Sequence, residues 1–189
     1  MKIIERTYAW NGKLSKRYLT KYIVLHHRAG NGDADGIHKQ HINNGWVGIG
    51  YHFYVRKDGS IYRGRPINTW GSHCIGYNDK SIGVCFEGNF ENETMTKEQI
   101  KSGQELVQYL KDAYPQSKVV GHKDLYKTLC PGKNFLIEDI KKGVTEMTLE
   151  KAIEIVRTKA VLEEQTIDFL LCYKYGEELI IKLAKAMEG

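Results

Sequence analysis

No stretch of this 189-residue chain approaches the roughly 20 consecutive apolar residues that a membrane-spanning helix needs. The N-terminus, Met1-Lys2-Ile3-Ile4-Glu5-Arg6, is charged and has no apolar run behind it. No secretory signal is visible there, and the expected location is the cytoplasm of the host cell that makes the protein. Four cysteines, Cys74, Cys85, Cys130 and Cys172, could close two disulfides, but their spacing resembles no secreted framework. Free thiols or a metal ligand are the better default in such a chain. Internal repeats and low-complexity tracts are absent as well. These absences argue against membrane insertion, a disulfide-stapled secreted domain and a repeat array.

What is present has the balance of a soluble globular protein: 41% hydrophobic and 27% charged residues. The net charge of +5 is unevenly spread. Residues 1–146 hold 22 Lys/Arg against 15 Asp/Glu, or +7, whereas residues 147–189 hold 6 against 8, or −2. A basic body attracts an anionic polymer, nucleic acid or cell wall, through long-range electrostatics. Plain solubility explains an excess of this size equally well.

Tyr22-Ile23-Val24-Leu25-His26-His27 reads as a buried strand, broken by Gly30-Asn31-Gly32-Asp33. Asp33 or Asp35 then caps a helix through Ile37, Gln40, His41 and Ile42, ended by Asn43-Asn44-Gly45. Tyr51–Arg56 and Ser60–Arg63 flank Lys57-Asp58-Gly59, a strong hairpin signal. Ser81–Glu87 reads as a second buried strand. Thr96 to Tyr114 is the clearest helix: Thr96 caps it, Ile100, Gly103, Leu106, Val107 and Leu110 fall near one face, and Pro115 stops it. Lys118–Gly121 is a short strand that delivers His122, and a short helix lies near Leu136–Lys142. Strands and helices alternate, so the expected class is α/β, a central mixed sheet flanked by helices. Residues 148–187 contain no proline and almost no glycine and show helical periodicity. The expected division is therefore a body of residues 1–146 and a small all-α module of residues 147–189, opened by Met147, where a second translation start is conceivable.

A lone histidine near a strand end is more often a satisfied polar group than a ligand. His26, His122 and Cys130 change that when taken together. Two sit at the ends of buried strands, and the third follows His122 by eight residues, across a loop that can fold back. Imidazole and thiolate suit zinc, and three protein ligands leave one position open for water. Such a centre keeps a charge near +1, enough to acidify that water.

The same residues carry a resemblance. Ile23-Val24-Leu25-His26-His27, Gly45-Trp46 with Gly50-Tyr51-His52-Phe53, and Asp58-Gly59 with Gly64-Arg65 are similar to segments of the type 2 N-acetylmuramoyl-L-alanine amidases. So are Gly71-Ser72-His73 with Gly76-Tyr77-Asn78 and Ser81-Ile82-Gly83-Val84, and Gly121-His122-Lys123-Asp124 with Thr128-Leu129-Cys130-Pro131-Gly132. That family includes bacteriophage T7 lysozyme and the peptidoglycan-recognition proteins. The resemblance runs over roughly residues 20–142, in the family's order and at compatible spacing.

It implies one Zn²⁺ ion held by His26, His122 and Cys130, and hydrolysis of the amide joining N-acetylmuramic acid to L-alanine in bacterial peptidoglycan. It implies that Tyr51 faces the metal and that Thr128, where the T7 protein carries lysine, offers a hydroxyl to the developing oxyanion. His73, Asn78 and Trp46 are implied as substrate contacts, with Tyr77 and Arg65 weaker candidates. His27 should face the opposite side of the sheet from His26 and is left out. Cys74 and Cys85 read as small buried fillers.

The setting implied is a phage or prophage endolysin, or a bacterial autolysin with the same chemistry. A non-catalytic peptidoglycan-binding protein and a polymerase regulator are the other readings. Peptidoglycan is the expected partner and nucleic acid is not. Residues 147–189 lie outside the resemblance and suit cell-wall binding, a homo-oligomer through the C-terminal helices, or a helical extension of the body.

Overall fold

The computed structural model describes residues 1–143 and 148–188. The chain divides into two compact units, Met1–Val144 and Thr145–Gly189. The expected boundary at residues 146 and 147, and the start at Met147, lie outside the described residues. No helix among the described residues is long and apolar enough to cross a membrane.

In chain order the first unit holds β1 (Ile3–Ile4), β2 (Tyr22–His27), α1 (Ala34–Asn43), β3 (Phe53–Val55) and β4 (Ile61–Arg63). It continues with β5 (Ser81–Phe86), α2 (Lys97–Ala113), β6 (Lys118–Gly121) and α3 (Ile137–Lys141). The six strands form one sheet in the order β1-β4-β3-β5-β2-β6. Only the β3–β4 pair is antiparallel, so the sheet is mixed. That pair is the hairpin around Asp58-Gly59, where Gly59 adopts φ +82°, a left-handed conformation that costs glycine nothing.

Each face of the sheet buries a different cluster. Ile23, Leu25, Phe53, Val84 and Phe86 pack against Leu106, Val107 and Leu110 of α2 and Ile140 of α3. Tyr54 and Cys85 pack on the other face with Ala34 and Ile37 of α1 and with Ile49. Helix α2 begins where the sequence indicated. Thr96 Oγ1 accepts from the Gln99 N–H at 3.0 Å, and Gln99 Oε1 accepts from the Thr96 N–H at 3.2 Å, a reciprocal capping box. Gln99 is fully buried, and its Nε2 donates to the Glu87 carbonyl at 2.8 Å, tying the helix to the end of β5.

The second unit holds α4 (Leu149–Ala160), α5 (Glu164–Leu171) and α6 (Gly176–Glu188). Thr148 caps α4 by accepting from the Lys151 N–H, and Val161 ends it in a left-handed conformation, φ 52°. Ala152, Val156, Ile167, Ile180 and Ala184 are the buried core.

Candidate metal centre

Strand β2 ends on two histidines, and strand alternation sends them to opposite faces. His27 turns to the α2 side, where its Nδ1 accepts from the Phe90 N–H at 3.2 Å. His26 is buried on the α1 side, 1% exposed. The parallel pairing of β2 with β6 sets Leu25 opposite Gly121. The chain therefore leaves β6 with His122 level with His26, and the two rings lie 4.4 Å apart.

Past His122, a single 3₁₀ turn is pinned by Asp124, whose carboxylate accepts from the Gly121 N–H at 2.8 Å. The Lys123 N–H donates to the Cys130 carbonyl at 2.8 Å, which folds the loop back over the end of β2. Cys130 Sγ then lies 3.7 Å from His26 Nδ1 and accepts from the His27 N–H at 3.4 Å. One donor atom from each of His26, His122 and Cys130 fits within a 4.8 Å set.

Burial holds the His26 imidazole well below its ordinary pKa, and also lowers that of His122. Burial likewise pushes the Cys130 thiol up to about 12, although the His27 N–H favours the thiolate. Both imidazoles are thus in the neutral, ligating form. The thiol would ionise only beside a concentrated positive charge, which a divalent cation supplies. His122 Nε2 is buried with no hydrogen-bond partner, an orphan of the kind a missing electron-pair acceptor leaves. Two imidazoles and one thiolate fit a borderline-soft divalent metal with an open position.

A groove of about 320 Å³ reaches the donor cluster at His122 and is lined by Trp46, Tyr51, Ile75, Asn78, His122 and Tyr126. The Tyr51 ring lies 5.3 Å from that of His26. Burial, with Cys85 beside it, raises the Tyr51 phenol well above its usual range, so it stays a hydrogen-bond donor. Thr128 Oγ1 accepts from the Cys130 N–H at 3.2 Å, which leaves the hydroxyl proton to donate elsewhere. Trp46 is 44% exposed, with its ring 4.6 Å from His41.

The structure gives His73 and Asn78 specific tasks. Asn78 Oδ1 accepts from the N–H groups of His73 at 2.8 Å and Cys74 at 3.0 Å, shaping the loop that frames the groove. His73 shows the groove only an edge, and its ring nitrogens face His26 and Ser81. Arg65 is buried, donating to the carbonyls of Ile49 and Trp70. Cys74 and Cys85 are buried free thiols. Sequence reasoning did not single out His41 or Tyr126. His41 lies one helical turn after the buried Ile37, which was a usable signal. Tyr126 stacks on His122 at 5.8 Å from within a loop, where no periodicity marks it.

The profile of a protein family described as N-acetylmuramoyl-L-alanine amidase matches residues 16–133, more than half of the chain. The chain belongs to this amidase family. Relatives of two kinds accompany the match. Peptidoglycan-recognition protein SC2 of Drosophila melanogaster is 36% identical over 146 residues, covering 66% of this chain and 78% of the relative. An endolysin of Enterobacteria phage K11 is 30% identical over 128 residues, covering 63% and 85%.

Among solved structures, the N-acetylmuramoyl-L-alanine amidase LysC from Clostridium intestinale URNW superposes with a TM-score of 0.73 at 45% identity. That superposition covers 75% of this chain and 96% of LysC. The amidase match contains all three donors and ends before the second unit begins.

Proposed function

We propose that the chain is a zinc-dependent N-acetylmuramoyl-L-alanine amidase that cuts the amide between N-acetylmuramic acid and L-alanine in bacterial peptidoglycan. The observation that carries this reading is the convergence of His26, His122 and Cys130, with His122 also lining a groove. Bound there, zinc would polarise the scissile carbonyl and lower the pKa of a water toward neutrality.

The chain's own residues supply the rest. Tyr51, kept protonated by burial, donates a hydrogen bond to the oxygen on which charge develops, and the Thr128 hydroxyl is a second donor. Trp46, Ile75 and Tyr126 form apolar walls that hold the substrate and limit water. The endolysin relatives support lysis as the setting, with the protein made in the host cytoplasm and acting on the wall after release.

For Thr145–Gly189 the reading is attachment to the wall. Phe169, Tyr173 and Tyr175 are exposed rings, a surface that isolated folding does not require. Replacing Tyr173 and Tyr175 with alanine should then lower cosedimentation of the full chain with purified wall. A concentration-dependent change of mass lost in the same variant would instead mark a homo-oligomer through the C-terminal helices.

The deciding assay for the first unit is release of N-terminal L-alanine from purified peptidoglycan, with and without a chelator and added zinc. Cleavage that needs zinc supports the proposal. Binding to the wall without any cleavage in the presence of zinc overturns it in favour of a recognition protein.

A further inference from the structure

A hydrogen-bond chain runs from His26 through His73, at the edge of the groove, to the buried Ser81. His26 Nε2 lies 3.0 Å from His73 Nδ1, His73 Nε2 lies 3.3 Å from Ser81 Oγ, and Ser81 Oγ lies 2.7 Å from the Tyr77 carbonyl oxygen. A carbonyl only accepts, so the Ser81 hydroxyl spends its proton on Tyr77. The Ser81 oxygen must then accept, and His73 supplies the proton from Nε2. His73 Nδ1 is left as a bare lone pair, and His26 has to donate to it from Nε2. Each direction follows from the one before it, and the series ends with the His26 Nδ1 lone pair on the side of Cys130.

With the other tautomer, His26 would aim an N–H at the donor cluster, and two lone pairs would oppose each other 3.0 Å apart, in a buried site.

The His73 ring has little freedom to depart from this arrangement. A Cβ on Gly71 would come within 2.2 Å of His73 Cδ2, and one on Gly83 within 2.5 Å. The imidazole therefore occupies a slot that two glycines leave open, and Asn78 holds its backbone N–H at 2.8 Å. Ser81 is fully buried, so water does not compete for its hydroxyl.

We infer that His73 and Ser81 are positioning residues that fix the tautomer and ring orientation of His26, so that Nδ1 is the atom offered to the metal. This rests on the metal reading of the site, though the tautomer itself can be observed without any metal. Outer partners of a ligating imidazole commonly set metal affinity over a range of about 10–100-fold.

The test is nitrogen-15 NMR of the histidines in the metal-free full chain, paired with zinc titration against a competing chelator. The comparison is between the wild-type chain, His73→Phe, His73→Asn and Ser81→Ala. The wild-type chain should show His26 protonated at Nε2 alone. His73→Phe, which fills the slot without an acceptor, should populate both tautomers and weaken zinc roughly 10–100-fold. His73→Asn offers a carboxamide oxygen near the place of Nδ1 and should restore most of both readouts. Ser81→Ala removes the acceptor that orients His73 and should move both readouts in the direction of His73→Phe, by less.

A folded His73→Phe protein with His26 still in the single Nε2–H form and unchanged zinc affinity overturns the inference. If His73→Phe does not fold, unchanged readouts in Ser81→Ala do the same. A wild-type chain that binds no zinc sinks the metal reading alone, and the tautomer measurement still decides the role of His73.

Discussion

Among the described residues, every buried polar or charged side chain lies in Met1–Val144, from Arg17 to Ser117, and includes His26, His38, His52, His73 and Glu87. Among the described residues of Thr145–Gly189, the buried side chains are Ala152, Val156, Ile167, Ile180 and Ala184. The first unit is thus a sheet protein whose interior is wired with hydrogen bonds, and the second has a buried core that is aliphatic, with its polar contacts at the surface. A wired interior places donors to within tenths of an ångström, but each wire left unpaired costs stability. An aliphatic interior places nothing with that accuracy and tolerates change of volume better than change of polarity. Chemistry belongs in the first kind of interior.

That contrast can be broken by experiment, and the largest effect should come from the donors. Cys130→Ala is expected to lower peptidoglycan cleavage by on the order of 10³-fold or more, since several kcal/mol of charge stabilisation is lost. Far-ultraviolet dichroism should stay that of the wild type. Retained cleavage in this variant would remove the metal reading.

Ile180→Ala strikes the other interior. It should cost about 2–5 kcal/mol, the usual range for truncating a buried aliphatic residue, and the second unit is small enough that this unfolds it. Helical dichroism should drop, while cleavage of a short soluble muropeptide and the fluorescence of Trp10, Trp46 and Trp70, all in the first unit, stay unchanged. A parallel loss of muropeptide cleavage would show that the two interiors are not independent.

Tyr51→Phe should come next, slowing turnover roughly 10²-fold, as removal of one oxyanion donor does, with zinc content unchanged. Equal rates for tyrosine and phenylalanine would leave Thr128 as the donor.

The smallest expected effect is pH dependence of stability. His52, buried with its ring held by the Gly83 N–H and the Thr69 carbonyl, is lowered to about 3, and His41 to about 4, burial being the main cause in both. Above about pH 6.5 these groups are neutral in folded and unfolded chains alike, and their contribution is complete. As pH falls below that value the unfolded chain takes up protons first, so stability declines progressively toward pH 3. All seven histidines lie in the first unit. The tryptophan-detected urea midpoint should therefore fall between pH 7 and 5, and His52→Gln, if folded, should flatten the curve. A decline of the same size in His52→Gln would assign it to other groups.

Much of the first unit was legible because its elements carry local punctuation. Strand β2 and the caps at Asp33 and Thr96 stand where composition puts them, and so does the hairpin at Asp58-Gly59. Strand β1 was not legible: two residues have no period, and Ile3–Ile4 becomes a strand only because β4 offers an edge to pair with. The same distinction separates the parts of the site. His26 and His122 could be read from strand ends, and His27 excluded by alternation. The roles of Ser81 and Asn78 depend on which groups a loop brings within 3 Å, and a linear pattern does not encode that distance. No pattern in the sequence marks Gln99 as a core residue, and it is fully buried.

His26 and Cys130 touch across 104 positions of chain. During synthesis the first of these donors leaves the ribosome long before the last, and for that interval the cluster is open. Any hydrolytic power that depends on it therefore arrives late and all at once, when Cys130 swings back over the end of β2. A prematurely terminated chain lacking Cys130 carries at most two of the three donors and no complete centre. For a protein proposed to destroy the wall of the cell that makes it, the order of the sequence is itself a form of timing.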